Sequence, residues 1–216
     1  MLQKKYVKEP LWNLLKELQN SKVFDNYFLV GGTALSLQIG HRISDDIDLF
    51  TREKINKDEI LDFFNGNYYG SYQIISNQNI IFQLIVKEIK IDMVKYDYKL
   101  IEDIKTDNGI KYLGKKDIAA MKLMAIANRG DQAKDFIDIY YLLKEISLED
   151  MFEYFKIKYN QNDISPIKRS LIYFDDITEN NWLSVNLLHD KLSIKSIKKK
   201  ITEEINSYNK NTVGIM

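Results

Sequence analysis

The stretch FLVGGTALSLQIGHRISDDIDLF, from Phe28 to Phe50, decides the fold of this chain. It predicts an apolar strand that ends at Gly31-Gly32 and a short helix, TALSLQI, that begins at Thr33. Two glycines let the backbone turn sharply and let a bulky ligand approach without meeting a Cβ atom. The N–H groups at the start of a helix bind phosphate readily. By itself, this pattern is more typical of a purely structural turn.

Two carboxylates follow on the next predicted strand. Asp46 and Asp48 flank Ile47 and project from the same face, because side chains alternate along a strand. Two like charges this close repel each other, and a divalent cation between them would relieve the repulsion. Mg²⁺ prefers carboxylate oxygens as ligands. The alternative is a solvated strand face, and the adjoining Asp45 is expected to be a turn residue that faces away.

A third acid lies in the later strand IKIDMVKY. Asp92 shares a face with Lys90 and Val94, in a β-rich run where aspartate is uncommon. If this strand lies near the first acidic strand, three carboxylates converge. Such a triad can hold two metal ions, one activating a hydroxyl and one neutralising a triphosphate. Alone, Asp92 is also compatible with a charge on an edge strand.

The second informative block runs from Lys115 to Leu143. Lys122 is the only charged residue between Ile118 and Ala127, so the helix should be buried and its lysine must snorkel, pair with an acid or meet an anion. Arg129 falls on the same helical face and could clamp a triphosphate together with Lys122. Two snorkelling side chains are the alternative.

Three charged residues follow at helical spacing in AKDFIDIYYLL. Asp135 and Asp138 share a face and could pair with Lys122 or Arg129, and Lys134 lies beside them. Asp135 could equally serve only as a salt-bridge partner.

The overall pattern predicts an α+β fold. Short runs rich in Ile, Val, Phe and Tyr extend to Tyr112 and predict a mixed β-sheet flanked by helices, with a hairpin turn at Lys87-Glu88. Beyond Gly114 the periodicity is helical and predicts a C-terminal helical bundle. We therefore expect a core domain over residues 1–112 and, over residues 113–216, a helical domain that completes the active-site cleft.

Composition excludes several classes of protein. The chain has 216 residues, no cysteine and 45% apolar residues, so disulfide scaffolds, cysteine nucleophiles and disordered proteins are excluded. No apolar run is long enough to cross a membrane, and no signal-peptide core is present, so a cytoplasmic protein without membrane contact is expected. The formal net charge of 0 argues against a generic nucleic-acid coat.

The order of these motifs resembles the nucleotidyltransferase (polymerase β-like) superfamily. The glycine pair is followed by D-I-D and then by an aspartate in a later strand. The string GGTALSLQIGHRISDDIDLF is similar to the AbiEii/AbiGii toxin family within it, and the K…R…KD..D pattern of the second block agrees with that family. The resemblance covers most of residues 27–145.

The resemblance implies a role for each matching residue. It implies that Mg²⁺ or Mn²⁺ binds to three acids, that the nucleotide is held by a further group of residues, and that two second-block residues join the catalytic set. The metal ligands are Asp46, Asp48 and Asp92; the nucleotide-binding residues are Gly31, Gly32, Thr33, Arg42, Ser44, Lys122 and Arg129; the additional catalytic residues are Lys122 and Asp138. Arg129, Lys134 and Asp135 would line or brace the cleft. Neither His41 nor His189 is expected to be catalytic.

The implied reaction is transfer of NMP from an NTP to an acceptor hydroxyl, with release of pyrophosphate. The resemblance points to the toxin of a toxin–antitoxin or abortive-infection pair, to an RNA acceptor such as the tRNA 3′ end, and to an antitoxin encoded nearby. Six lysines against three acids in residues 190–216 are compatible with RNA binding or with a solvated helix. The alternatives are transfer to a small molecule such as an antibiotic, transfer to a protein side chain, and a non-catalytic nucleotide-binding or partner-binding module.

Overall fold

The structure is a computed structural model that describes residues 1–187 and 192–213. These residues form two compact units. The first unit comprises Met1–Tyr98 and Asp103–Gly114. The second comprises Lys99–Glu102 and the described residues from Lys115 onward.

The first unit contains a mixed seven-stranded sheet, as the sequence predicted in outline. The strands are β1 (Tyr27–Leu29), β2 (Ile47–Thr51), β3 (Tyr72–Asn77), β4 (Ile81–Val86), β5 (Ile89–Lys95), β6 (Lys105–Asp107) and β7 (Ile110–Tyr112). Their spatial order is β3-β4-β5-β2-β1-β7-β6. Strand β2 runs antiparallel to β1 and parallel to β5. The sheet therefore brings together two strands that are distant in sequence, and each of them carries predicted site residues.

Three helices belong to the first unit: α1 (Glu9–Asn20), α2 (Gly31–Ile39) and α3 (Lys57–Tyr68). Pro10 lies in the first turn of α1, where its missing N–H has no partner to lose. The side chain of Asn56 caps α3 by accepting a hydrogen bond from the N–H of Glu59. The leucines of α1 that face inward are buried, among them Leu11, Leu15 and Leu18.

The second unit is helical. Its helices are α4 (Lys115–Arg129), α5 (Ala133–Leu142), α6 (Leu148–Tyr159), α7 (Ser165–Leu171), α8 (Glu179–Leu183) and α9 (Ile194–Val213). Ser147 caps α6 by accepting from the N–H of Asp150, as the sequence predicted. Helix α4 packs against α5, α6 and α7, which explains its apolar sequence.

Several details differ from the prediction. Helix α2 begins at Gly31 rather than at Thr33, so both glycines belong to its first turn. The hairpin at Lys87-Glu88 is present, with both residues at positive φ. The sequence interpretation missed the β6–β7 hairpin and α3, because the strands are only three residues long and the helix carries a glycine and many polar residues. Across the described residues, the structure contains no helix with the length and apolar character that crossing a bilayer requires.

Candidate functional site

Two of the predicted acids lie side by side in the sheet. Asp48 on β2 is the direct partner of Asp92 on the parallel strand β5. Their neighbours Ile47, Leu49 and Ile91 are fully buried, whereas both aspartates are only partly buried. Registered residues on adjacent strands share a face. The two carboxylates therefore occupy the less buried face of the sheet together, and Asp46 lies immediately before β2.

Gly31 brings the start of α2 close to Asp48. It has a φ of 68°, a conformation that favours glycine, and a Cβ atom at this position would lie 2.3 Å from Oδ2 of Asp48. The N–H of Val30 also donates to the carbonyl of Asp48 at 2.9 Å. The preceding residue, Val30, has no side chain that can cap the first N–H groups of the helix. The positive end of α2 therefore lies directly beside the acidic pair.

Arg42, Ser44 and Thr33 form a buried polar group next to Gly32. The Arg42 side chain is only 5% exposed, and its Nη2 lies 2.1 Å from the position that a Cβ of Gly32 would occupy. Its Nη1 donates to the Ser44 hydroxyl at 3.4 Å. The Thr33 hydroxyl lies 2.9 Å from that of Ser44 and is hydrogen-bonded to the carbonyl of Asp46. A buried guanidinium beside a helix N-terminus is well suited to attract an anion.

The donor set fits a divalent metal, although the acids are not assembled around one in this conformation. Oδ1 of Asp92 is buried and accepts no hydrogen bond from the described residues, whereas Oδ2 accepts from Nζ of Lys90 at 2.6 Å. Within residues 1–187 and 192–213, no three His, Cys, Asp or Glu side chains form a group that could hold a metal ion as it stands. An orphaned carboxylate oxygen beside a second carboxylate is chemically suited to Mg²⁺. The metal role of the three acids stays a prediction.

The second block forms a separate cluster within the helical unit. Nζ of Lys122 lies 2.6 Å from Oδ1 of Asp135 and 2.6 Å from Oδ2 of Asp138, and both acids are almost completely buried. Arg129 is 57% exposed and its Nη2 lies 3.4 Å from Oδ2 of Asp135. The expected pairing of these acids with the two cations is therefore present. In this conformation the ammonium group of Lys122 has two carboxylate partners, which more than balance its single positive charge.

The structure also places residues that sequence reasoning missed. Lys90 contacts Asp92, although the sequence showed only that the two share a face. In the second unit, Lys158 and Asp117 form an ion pair at 2.6 Å in which both side chains are fully buried. Lys158 lies in a helix with ordinary amphipathic spacing, so no signal in the sequence distinguished it from a surface lysine.

The structure also locates Asp45 and His41, which were not expected to take part in the reaction. Asp45 is exposed and pairs with Lys8 at 2.9 Å, so it faces away from the other acids. His41 is buried, at 2% exposure. His189 and Lys191 lie outside the described residues.

A basic groove borders helix α9. Its lining consists of three apolar residues, three lysines, a threonine and a glutamate: Ile172, Phe174, Ile194, Lys195, Lys198, Lys199, Thr202 and Glu203. Nζ of Lys198 lies 5.2 Å from the ring centroid of Phe174 and 6.0 Å from that of Trp182. Lys199 pairs with Glu203 one turn later at 3.7 Å. Part of the lysine surplus is thus neutralised within the helix.

Comparison with known proteins identifies the family of this chain. Residues 13–207 match the family described as "Nucleotidyl transferase AbiEii toxin, Type IV TA system". An uncharacterized protein of Aquifex aeolicus (strain VF5) is 32% identical over 195 residues, which cover 88% of this chain and 93% of that protein.

Two solved structures share the fold. MenT4, the nucleotidyltransferase toxin Rv2826c from Mycobacterium tuberculosis H37Rv, superposes with a TM-score of 0.60 at 13% identity, covering 91% of this chain and 80% of that one. JHP933 from Helicobacter pylori superposes with a TM-score of 0.58 at 16% identity, covering 97% of each chain. The family model matches most of the chain, and the Aquifex aeolicus protein is similar over nearly its whole length, so this chain belongs to the AbiEii nucleotidyltransferase toxin family.

Proposed function

We propose that this nucleotidyltransferase toxin transfers NMP from an NTP to the hydroxyl of an RNA, with the tRNA 3′ end as the acceptor. The main support for nucleotidyl transfer is that Asp48 and Asp92 lie side by side on adjacent strands, next to the N-terminus of α2. The acidic face supplies metal ligands, and the helix N-terminus beside it supplies donors for phosphate. The protein would act in the cytoplasm, where NTPs are available.

We assign Asp46, Asp48 and Asp92 as the ligands of Mg²⁺ or Mn²⁺. When bound, such a metal lowers the pKa of an attacking hydroxyl and neutralises charge on the triphosphate. The orphaned Oδ1 of Asp92 supports this assignment, because a buried carboxylate oxygen without a donor is costly unless a ligand satisfies it. We also propose that Asp92 accepts the proton of the acceptor hydroxyl.

We assign the phosphates of the nucleotide to the start of α2 and its polar neighbours. Gly31 and Gly32 leave the helix N–H groups accessible, and Thr33 and Ser44 offer hydroxyl groups. The buried Arg42 adds a fixed positive charge that favours a triphosphate and the leaving pyrophosphate. From the family resemblance we also propose that Lys122 and Arg129 contact the nucleotide and that Asp138 is an active-site acid.

Two further points support an RNA acceptor and a protein partner. The groove along α9 carries Lys195 and Lys198, and clustered lysines suit the phosphate backbone of RNA. The family description names a toxin of a toxin–antitoxin system, so we propose a cognate antitoxin encoded nearby.

The test is incubation of the purified protein with Mg²⁺, total RNA and each of the four NTPs, labelled at the α-phosphorus. We expect label in the tRNA band, and we expect Asp48→Asn to abolish it while the far-UV circular dichroism stays unchanged. An NTP labelled at the γ-phosphorus should leave the RNA unlabelled, because pyrophosphate carries that label away.

Three outcomes would contradict the proposal. Label from the γ-phosphorus in RNA would indicate a kinase rather than a nucleotidyltransferase. Label that appears only in protein or in an added aminoglycoside would identify a different acceptor. Undiminished labelling by Asp48→Asn would remove the acidic pair from the reaction.

A further inference from the structure

Lys90 lies within the acidic face of the sheet. Its Nζ is 2.6 Å from Oδ2 of Asp92, and the two side chains are on the same face of β5. The parallel register pairs Ile47 with Ile91 and Asp48 with Asp92. By the same register, Lys90 precedes Ile91 as Asp46 precedes Ile47. Lys90 therefore lies on the same face as Asp48 and Asp92, near the end of β2 that Asp46 precedes.

The two oxygens of Asp92 are in different situations. Oδ2 holds the ammonium group of Lys90, whereas the buried Oδ1 has no hydrogen-bond donor among the described residues. A carboxylate that is only 19% exposed needs a counter-charge, and the ammonium group supplies one positive charge where a divalent cation would supply two. Lys90 therefore neutralises Asp92 without satisfying both of its oxygens.

We propose that Lys90 is a resident counter-ion that competes with the divalent metal for Asp92 and so sets the metal affinity of the site. This inference rests on the proposed function, because it takes Asp48 and Asp92 as metal ligands. A metal ion at Oδ1 and an ammonium group at Oδ2 of the same carboxylate repel each other at short range, so each weakens the binding of the other. Lys90 is 40% exposed, so its flexible stem can carry the ammonium group into solvent when a metal binds.

A second lysine–aspartate pair, at the end of β5, shows what distinguishes Lys90. Lys95 contacts Asp97 at 2.8 Å with the same spacing along the chain. Asp97 is 69% exposed, however, and lies beyond the end of β5, whereas Asp92 is mostly buried and adjoins Asp48. Water can solvate Asp97 when its lysine leaves. Removing Lys90 therefore leaves a mostly buried carboxylate that needs another cation, whereas removing Lys95 leaves a carboxylate that water can solvate.

Mn²⁺ binding to the full chain, measured without nucleotide by the electron paramagnetic resonance signal of the free ion, tests this inference. We expect Lys90→Met to lower the Kd for Mn²⁺ about tenfold, because it removes one positive charge next to a mostly buried carboxylate. Lys90→Arg keeps the charge and should remain within about threefold of the unmodified protein. Lys95→Met is the matched control and should leave the Kd unchanged.

Asp48→Asn separates failure of this inference from failure of the proposed function. If Asp48→Asn weakens Mn²⁺ binding but Lys90→Met leaves the Kd unchanged or raises it, the counter-ion role is wrong and the metal site stands. If Asp48→Asn has no effect on Mn²⁺ binding, the metal assignment itself is wrong. Should Lys90→Met fail to fold, Lys90→Gln makes the same test, because its polar end suits a partly exposed strand.

Discussion

Breaking the buried ion pair of the helical unit should destabilise that unit strongly. Nζ of Lys158 lies 2.6 Å from Oδ1 of Asp117 and 3.1 Å from the carbonyl of Lys99. The carboxylate of Asp117 also accepts the N–H groups of Ile101 and Glu102. Together, these bonds tie the segment Lys99–Glu102 to helices α4 and α6. The pair therefore anchors the short stretch of chain that belongs to the second unit ahead of α4.

The size of the effect follows from burial. Both side chains are 0% exposed, so Lys158→Met leaves the negative charge of Asp117 without compensation in the interior. Removing one partner of such a pair costs about 3–5 kcal/mol of the free energy of unfolding. In the double variant Asp117→Asn/Lys158→Met the uncompensated charge is gone and the amide oxygen can still accept the two N–H groups. We expect the double variant to regain about half of the loss.

Urea unfolding followed by tryptophan fluorescence measures the loss. Trp12 belongs to the first unit and Trp182 to the second, so a Trp12→Phe background makes the signal report the helical unit alone. Lys156→Met is the matched control on the same helix, because Lys156 pairs with Glu153 at the surface and should contribute less than about 1 kcal/mol. A loss for Lys158→Met as small as that of the control would refute the reasoning, and so would a double variant as unstable as the sum of the two single ones.

Two further predictions concern the first unit. Gly31→Ala should reduce nucleotide transfer at least tenfold and lower the free energy of unfolding by about 1–2 kcal/mol, because it forces a side chain into positive φ beside Asp48. The control is Gly66→Ala in α3, where a Cβ atom would meet nothing within 4 Å. This control should raise the free energy of unfolding by about 0.5–1 kcal/mol. Equal urea midpoints for the two variants would contradict this. Burial raises the pKa of Tyr27 to about 12, and the charges of Glu53 and Glu59 add to the rise. As the pH rises, the unfolded chain therefore loses the phenol proton before the folded chain does. The free energy of unfolding should fall as the pH rises from 10 to 12. Tyr27→Phe should flatten the decline in melting temperature over that range, and an unchanged slope would show that Tyr27 does not carry it.

The sequence alone determined the longer strands, four of the helices and the family. Periodicity of two predicted the long strands, periodicity near 3.6 predicted α1, α4, α5 and α6, and Ser147 marked the start of α6. These signals are readable because they depend on neighbours within a few residues. The spacing of Gly31-Gly32, Asp46 and Asp48 likewise identified the nucleotidyltransferase family before any fold was known.

Only the tertiary structure decided which charges meet. The register of β2 with β5 places Asp92 beside Asp48, and the same face brings Lys90 onto Asp92. The burial of Lys158 against Asp117 likewise joins residues from different helices. A sequence pattern gives the face of a strand or helix that a side chain occupies, but not the partner across from it. That partner is set by strand order and helix packing, because these maximise buried apolar contact over the whole unit rather than within one segment.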